Sequence, residues 1–125
     1  MKNVDLMKEF LRSQGFQFEQ DEDGDLVFKY QMRTFLYYAN DDDQGYFQLA
    51  MPAIFDVTED NREAVLEAAN NVTKTVKVAK AIVANSEVWL MAELLLDTTP
   101  VYDDIVPRVL GILMGAQQEF YNQIN

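Results

Sequence analysis

The chain has 125 residues, with 10 Lys and Arg against 21 Asp and Glu, for a formal net charge of −11. It contains no Cys and no His. That excludes disulfides, thiolate nucleophiles, Cys-ligated zinc or iron–sulfur centres, and imidazole as base or metal ligand.

The length suits a single domain over residues 1–125, and 49% hydrophobic residues with eight Phe and six Tyr can fill a core. In chain order, residues 4–14 place Val4, Leu6, Met7, Phe10 and Leu11 at helical spacing, with Lys8, Glu9 and Arg12 on the other side. Gly15 stops that helix. From Phe16 the period becomes two, with Phe16 and Phe18 alternating with Gln17 and Glu19. The turn-rich run 20–25 leads into a strand over 26–30, and its Asp-Gly signals a hairpin because glycine accepts positive φ. Further strands are expected over 34–39 and 46–51, the second ended by Pro52. Aromatics crowd these strands, as a pleated, half-buried surface favours.

Residues 58–73 return to helical spacing. Asp60 followed by Glu63 resembles a capping box, and Val65, Leu66, Ala69 and Val72 form the apolar stripe. The β-branched run from Thr73 to Val78 ends that helix near Asn71 or Val72. Residues 76–84 fit either strand or helix: Val76, Val78, Ile82 and Val83 favour strand, while the Ala-rich part tolerates helix. Asn85-Ser86-Glu87 reads as a turn into a strand over 88–96, giving a second hairpin. A last helix begins near Asp103 or Asp104, with Pro107 in or just past its first turn. The expected architecture is α+β: a helix, three or four antiparallel strands, a helix, two strands and a helix.

Several clusters invite a chemical reading. Residues 19–25 hold five acids in seven positions, but the Gly and Met32 fall at the wrong positions for a calcium loop, so a solvated turn is expected. Asp41, Asp42 and Asp43 read the same way, although the two loops could approach each other around a cation. Glu93 is the candidate acid–base group, sharing a strand face with Trp89, Met91 and Leu95. Buried, its pKa would rise; the plainer reading pairs it with Lys80 on the neighbouring strand. No GxSxG, phosphate loop or GxGxxG occurs. Gly111 and Gly115 sit four apart on the last helix, where each costs about 1 kcal/mol against Ala. They imply close backbone approach, either within the chain or across a dimer.

The stretches LRSQGFQFEQDEDGDLVFKY, NREAVLEAANNVTKTVKVAKAIV and VWLMAELLL, with Ala68-Ala69-Asn70 closing the middle helix and Glu93 inside the last strand, resemble the YbjN-like family and, at fold level, the type III secretion chaperones. The resemblance implies an antiparallel sheet in α-β-β-β-α-β-β-α order and a homodimer. It supplies no catalytic motif.

The reading is therefore a non-enzymatic protein-binding module without a cofactor, with Trp89, Met91, Gly111 and Gly115 as partner-binding residues, either on exposed apolar surface or at a sheet edge. A small-molecule binder using Glu93, or an acidic immunity or inhibitor protein covering a basic site, stands as the alternative. The charge opposes nucleic acid and anionic membranes. The first residues lack an apolar signal segment, and the most apolar stretch, 88–96, falls short of the roughly 20 residues of a membrane span. A cytoplasmic setting is expected.

Overall fold

The apolar stripe at the start of the chain closes into α1 (Asn3–Ser13), burying Val4, Met7, Phe10 and Leu11. Each such large side chain contributes roughly 1.5–3 kcal/mol on burial. Gly15 takes φ +75°. The Gly15 and Phe16 amides donate to the Arg12 and Leu11 carbonyls at 3.1 and 2.9 Å, the Schellman arrangement that a glycine past a helix end permits. At the other end, the Asn3 amide donates to Gln44 Oε1 at 2.8 Å and Asn3 Nδ2 donates to the Gln44 carbonyl at 2.6 Å, which ties α1 to a distant loop.

The computed structural model describes residues 1–124. After α1 come β1 (Phe18–Gln20), β2 (Leu26–Tyr30), β3 (Arg33–Tyr37), β4 (Tyr46–Asp56), α2 (Arg62–Thr75), β5 (Ala79–Ala84), β6 (Glu87–Leu95) and α3 (Tyr102–Ile124). Four strands thus precede α2, the first only three residues long. The strands form one sheet in the order β1-β2-β3-β4-β6-β5, and every neighbouring pair is antiparallel. Residues 76–84 resolve as a loop and then a strand. The Asn85-Ser86 turn has positive φ at both positions, matching the twist of a tight hairpin.

Four local expectations are corrected. Pro52 does not end its strand: β4 runs on to Asp56, with a register shift between Met51 and Phe55. A bulge accommodates a residue that cannot donate to the ladder. α2 continues to Thr75 because tertiary packing outweighs the modest helix penalty of β-branched residues. Asn61, and not Asp60, occupies the cap position. The Thr58 amide donates to Asn61 Oδ1 at 2.8 Å, and the Asn61 amide donates to Thr58 Oγ1 at 3.3 Å, fixing the approach to the helix. The buried stripe of α2 is Val65, Ala68, Ala69 and Val72, while Leu66 is exposed. Pro107 lies inside α3.

The buried sides of all three helices join one core cluster with Leu26, Phe28, Phe35, Tyr37, Phe47, Leu49, Val88, Leu90 and Ala92 of the strands. These strand residues alternate along their strands and so lie on one face of the sheet. The helices cover that face.

Candidate interaction surface

Among the described residues, no helix lies on the other sheet face. Alternation places Val27, Leu36, Ala50, Met91 and Trp89 there. Strand register aligns them into a row. Glu19 pairs with Val27, Val27 with Leu36, Leu36 with Ala50, Ala50 with Met91, and Met91 with Lys80. Trp89 pairs with Ile82 one step along.

Ala50 and Met91 are buried by their neighbours yet stand outside the core cluster. Trp89 is half-buried, and its Nε1 is shielded without an acceptor. Gln48 Nε2 reaches Met91 Sδ at 3.0 Å. Burial raises the Tyr38 hydroxyl pKa, and the Asp25 and Glu93 charges raise it further. At the β1 end an open groove of about 660 Å³ is lined by Phe16, Gln17, Phe18, Glu19, Val27, Phe28 and Lys29.

Glu93 shares this face with Trp89 and Met91, as its spacing predicts. Lys80 on β5 pairs with it directly. This is the ion pair that the plainer reading of Glu93 expects.

Of the four partner-binding expectations, the structure brings Trp89 and Met91 together. Gly111 and Gly115 lie elsewhere, on the outward side of α3, across the sheet from Trp89 and Met91. Both are exposed, and a Cβ on either meets nothing within 4 Å. Close intrachain approach is therefore not the reason for these glycines. Beside them Ile105, Val109 and Ile112 of α3, with Val78, Leu94 and Arg108, line a groove of about 200 Å³.

The sheet edges are not equally free. The Ala81 amide on β5 donates to Thr73 Oγ1 of α2 at 2.9 Å, and the Thr73 hydroxyl reaches the Ala69 carbonyl at 3.0 Å. This hydroxyl occupies the edge position that an added strand would need.

Asp21, Asp23 and Asp25 gather their carboxylates within 4.8 Å of one another. Asp21 Oδ1 accepts the Asp23 and Asp25 amides at 3.0 and 2.9 Å, and Asp25 Oδ1 accepts the Ala39 amide at 2.9 Å. Those oxygens hold the turn together. Asp41 of the second acidic loop is close enough to raise the Asp25 pKa, so the two loops do approach. Among the described residues, no helix is long and apolar enough to cross a membrane.

Leu36, Val27 and Ala50 are the face residues that spacing did not single out. The available signal was in the strands themselves. Leu26-Val27-Phe28, Phe35-Leu36-Tyr37 and 88–92 are continuous apolar runs, as in strands buried on both faces.

No family model matches the chain, and no curated protein does. Solved structures do. The chain is similar in fold to YbjN from E. coli, with a TM-score of 0.66 at 10% identity over 94% of this chain and 87% of that one. It is equally similar to an uncharacterized protein from Methanothermobacter thermautotrophicus, with a TM-score of 0.66 at 11% identity, covering 97% of this chain and 98% of that one. At such identities the likeness is one of fold: a YbjN-like α+β domain.

Proposed function

We propose that a protein with this YbjN-like fold is a non-enzymatic protein-binding module that acts as a homodimer and holds a partner polypeptide. The observation that carries the reading is the apolar sheet face around Trp89 and Met91, which no helix covers. Its exposed apolar members are Ile82 and Leu95, beside the half-buried Val27, Leu36 and Trp89, and exposed apolar patches mark interaction sites. The chemistry of the chain supports it. Without His or Cys, acid–base work would fall to carboxylates, and Glu93 is held by Lys80. Partner-binding through Trp89 and Met91 follows from the face, while Gly111 and Gly115 mark a second, separate surface on α3. Nucleic acid and anionic membranes lie outside this reading because −11 opposes both. A cytoplasmic setting fits it.

Sedimentation velocity and affinity purification from native cells test the proposal. A dimer that retains a specific polypeptide is expected, and retention should weaken in Met91→Lys. A monomer that captures nothing removes the proposal.

A further inference from the structure

We infer that the uncovered sheet face receives a cationic polypeptide segment, with a basic side chain seated at its acidic end beside Tyr38 and apolar side chains laid along Val27, Leu36, Trp89 and Ile82. The inference rests on the protein-binding reading above and names the chemistry of the partner.

The register gives the face two unlike ends. Leu26 pairs with Tyr37 and Gln48 with Glu93, and the Tyr38 amide donates to the Gln48 carbonyl at 3.1 Å. Asp25, Tyr38, Gln48 and Glu93 therefore form one row across four strands, and Asp25 and Glu93 both act on the Tyr38 hydroxyl. The turns over 20–25 and 40–45 open at this same end, where Asp21, Asp23 and Asp41 crowd Asp25. Lys80 is taken by Glu93, and Lys2 meets Asp41 at 3.7 Å with both side chains exposed. Among the described residues, no ion pair reaches Asp21, Asp23 or Asp25. Four residues back along β6, about 13 Å in an extended strand, the character changes. There Trp89 pairs with Ile82.

Charge selects the occupant. An anionic partner, a second copy of this −11 chain included, would bring further acids to this end and be repelled. A basic side chain gains there. The unpaired carboxylates supply the field, the Tyr38 ring supplies a face for a cation, and Leu95, 85% exposed beside Glu93, supplies apolar surface for the stem of a Lys or Arg. The partner segment therefore carries its cation about four extended residues from an apolar side chain that reaches Trp89 and Ile82.

Fluorescence anisotropy with two labelled peptides, Lys-Lys-Leu-Ser-Leu-Ser-Leu and Glu-Glu-Leu-Ser-Leu-Ser-Leu, tests this. Each places its first charge and its Leu side chains on one side of an extended chain. The Lys peptide should bind, more weakly as salt rises, and the Glu peptide should not. Leu95→Lys puts a cation at the acidic end and should weaken binding about tenfold. Leu66→Lys makes the same charge change at an exposed site on α2 and should leave binding little changed. Asp25→Asn, which keeps an oxygen for the Ala39 amide, should also weaken it; circular dichroism checks that all three variants fold. Equal losses in Leu95→Lys and Leu66→Lys would mean attraction to net charge at large and overturn the inference. So would a Glu peptide that binds as tightly, or self-association that excludes the Lys peptide. An anionic polypeptide retained from native cells, and held undiminished by Leu95→Lys, overturns the cationic occupant alone. Retention of no polypeptide, with neither peptide bound, removes the protein-binding reading as well.

Discussion

Tyr37 and Tyr102 meet through their hydroxyls at 2.7 Å inside the core, and their rings pack edge to face at 6.3 Å. Burial, more than the hydrogen bond, raises the Tyr37 pKa, so the pair stays neutral. Each hydroxyl satisfies the other, and removing one strands its partner. Tyr37→Phe should cost about 1–3 kcal/mol in chemical denaturation. The Tyr37→Phe, Tyr102→Phe double variant should cost less than the sum of the two, since no orphan remains. Additive losses would show that the hydroxyls act independently. Asp25 makes a different prediction. Burial raises its pKa above 3.8; Asp21, Asp23 and Asp41 add to the rise, and the Ala39 amide opposes it. The folded state then binds the proton more tightly than the unfolded chain, so this group's contribution to stability falls as pH rises through the window above 3.8. Asp25→Asn keeps an oxygen for the Ala39 amide and carries no charge. It should be more stable than wild type at about pH 7, by less than about 1 kcal/mol, and equal to it near about pH 3. Thermal melts across that range measure the difference.

Two hairpin turns show what local chemistry the chain uses and where it departs from preference. Asn85-Ser86 is a turn that the residue types announce. Gln31-Met32, between β2 and β3, has the same positive φ at both positions, 50° and 64°, with residue types that disfavour it. The neighbouring strands impose the conformation, which is why the turn is invisible in the residue pattern. Met32 is fully exposed, so replacing the pair with Asn-Gly removes strain without a loss of packing. Gln31→Asn with Met32→Gly should raise stability by about 0.5–1 kcal/mol, read as a higher denaturation midpoint. Thr73 acts at an edge. Its hydroxyl takes the Ala81 amide, which joins α2 to β5. Thr73→Val keeps the shape and removes the acceptor. It should cost about 1–2 kcal/mol and leave the β5 edge open to pairing, so light scattering on warming should rise earlier than in wild type.

At the scale of the molecule, −11 spread over a small domain means self-repulsion. Raising salt from about 20 to about 200 mM should raise the melting temperature and tighten self-association, because screening shortens to about a Debye length. A melting temperature unchanged by salt would show that the acids are already compensated. The order of elements was legible along the chain, since periodicity changes from 3.6 to 2 and back wherever a helix meets a strand. So was the Glu93–Lys80 pair, because a two-residue turn sets Lys80 opposite Met91 and so diagonally beside Glu93 on the same face. The strand β4 beyond Pro52 was not legible, because a bulge is defined by its partner strand β6. Nor was the row from Glu19 to Lys80, which assembles residues from six strands. Composition determined by itself which side-chain chemistries are absent and the acidity, and the hydrophobic period determined the antiparallel α+β order, because side-chain inventory and period are local properties. Only the tertiary structure decided that the helices share one side of the sheet and leave Trp89, Met91 and Leu36 on the other. Which face a helix covers depends on packing between distant segments, and no local pattern encodes it.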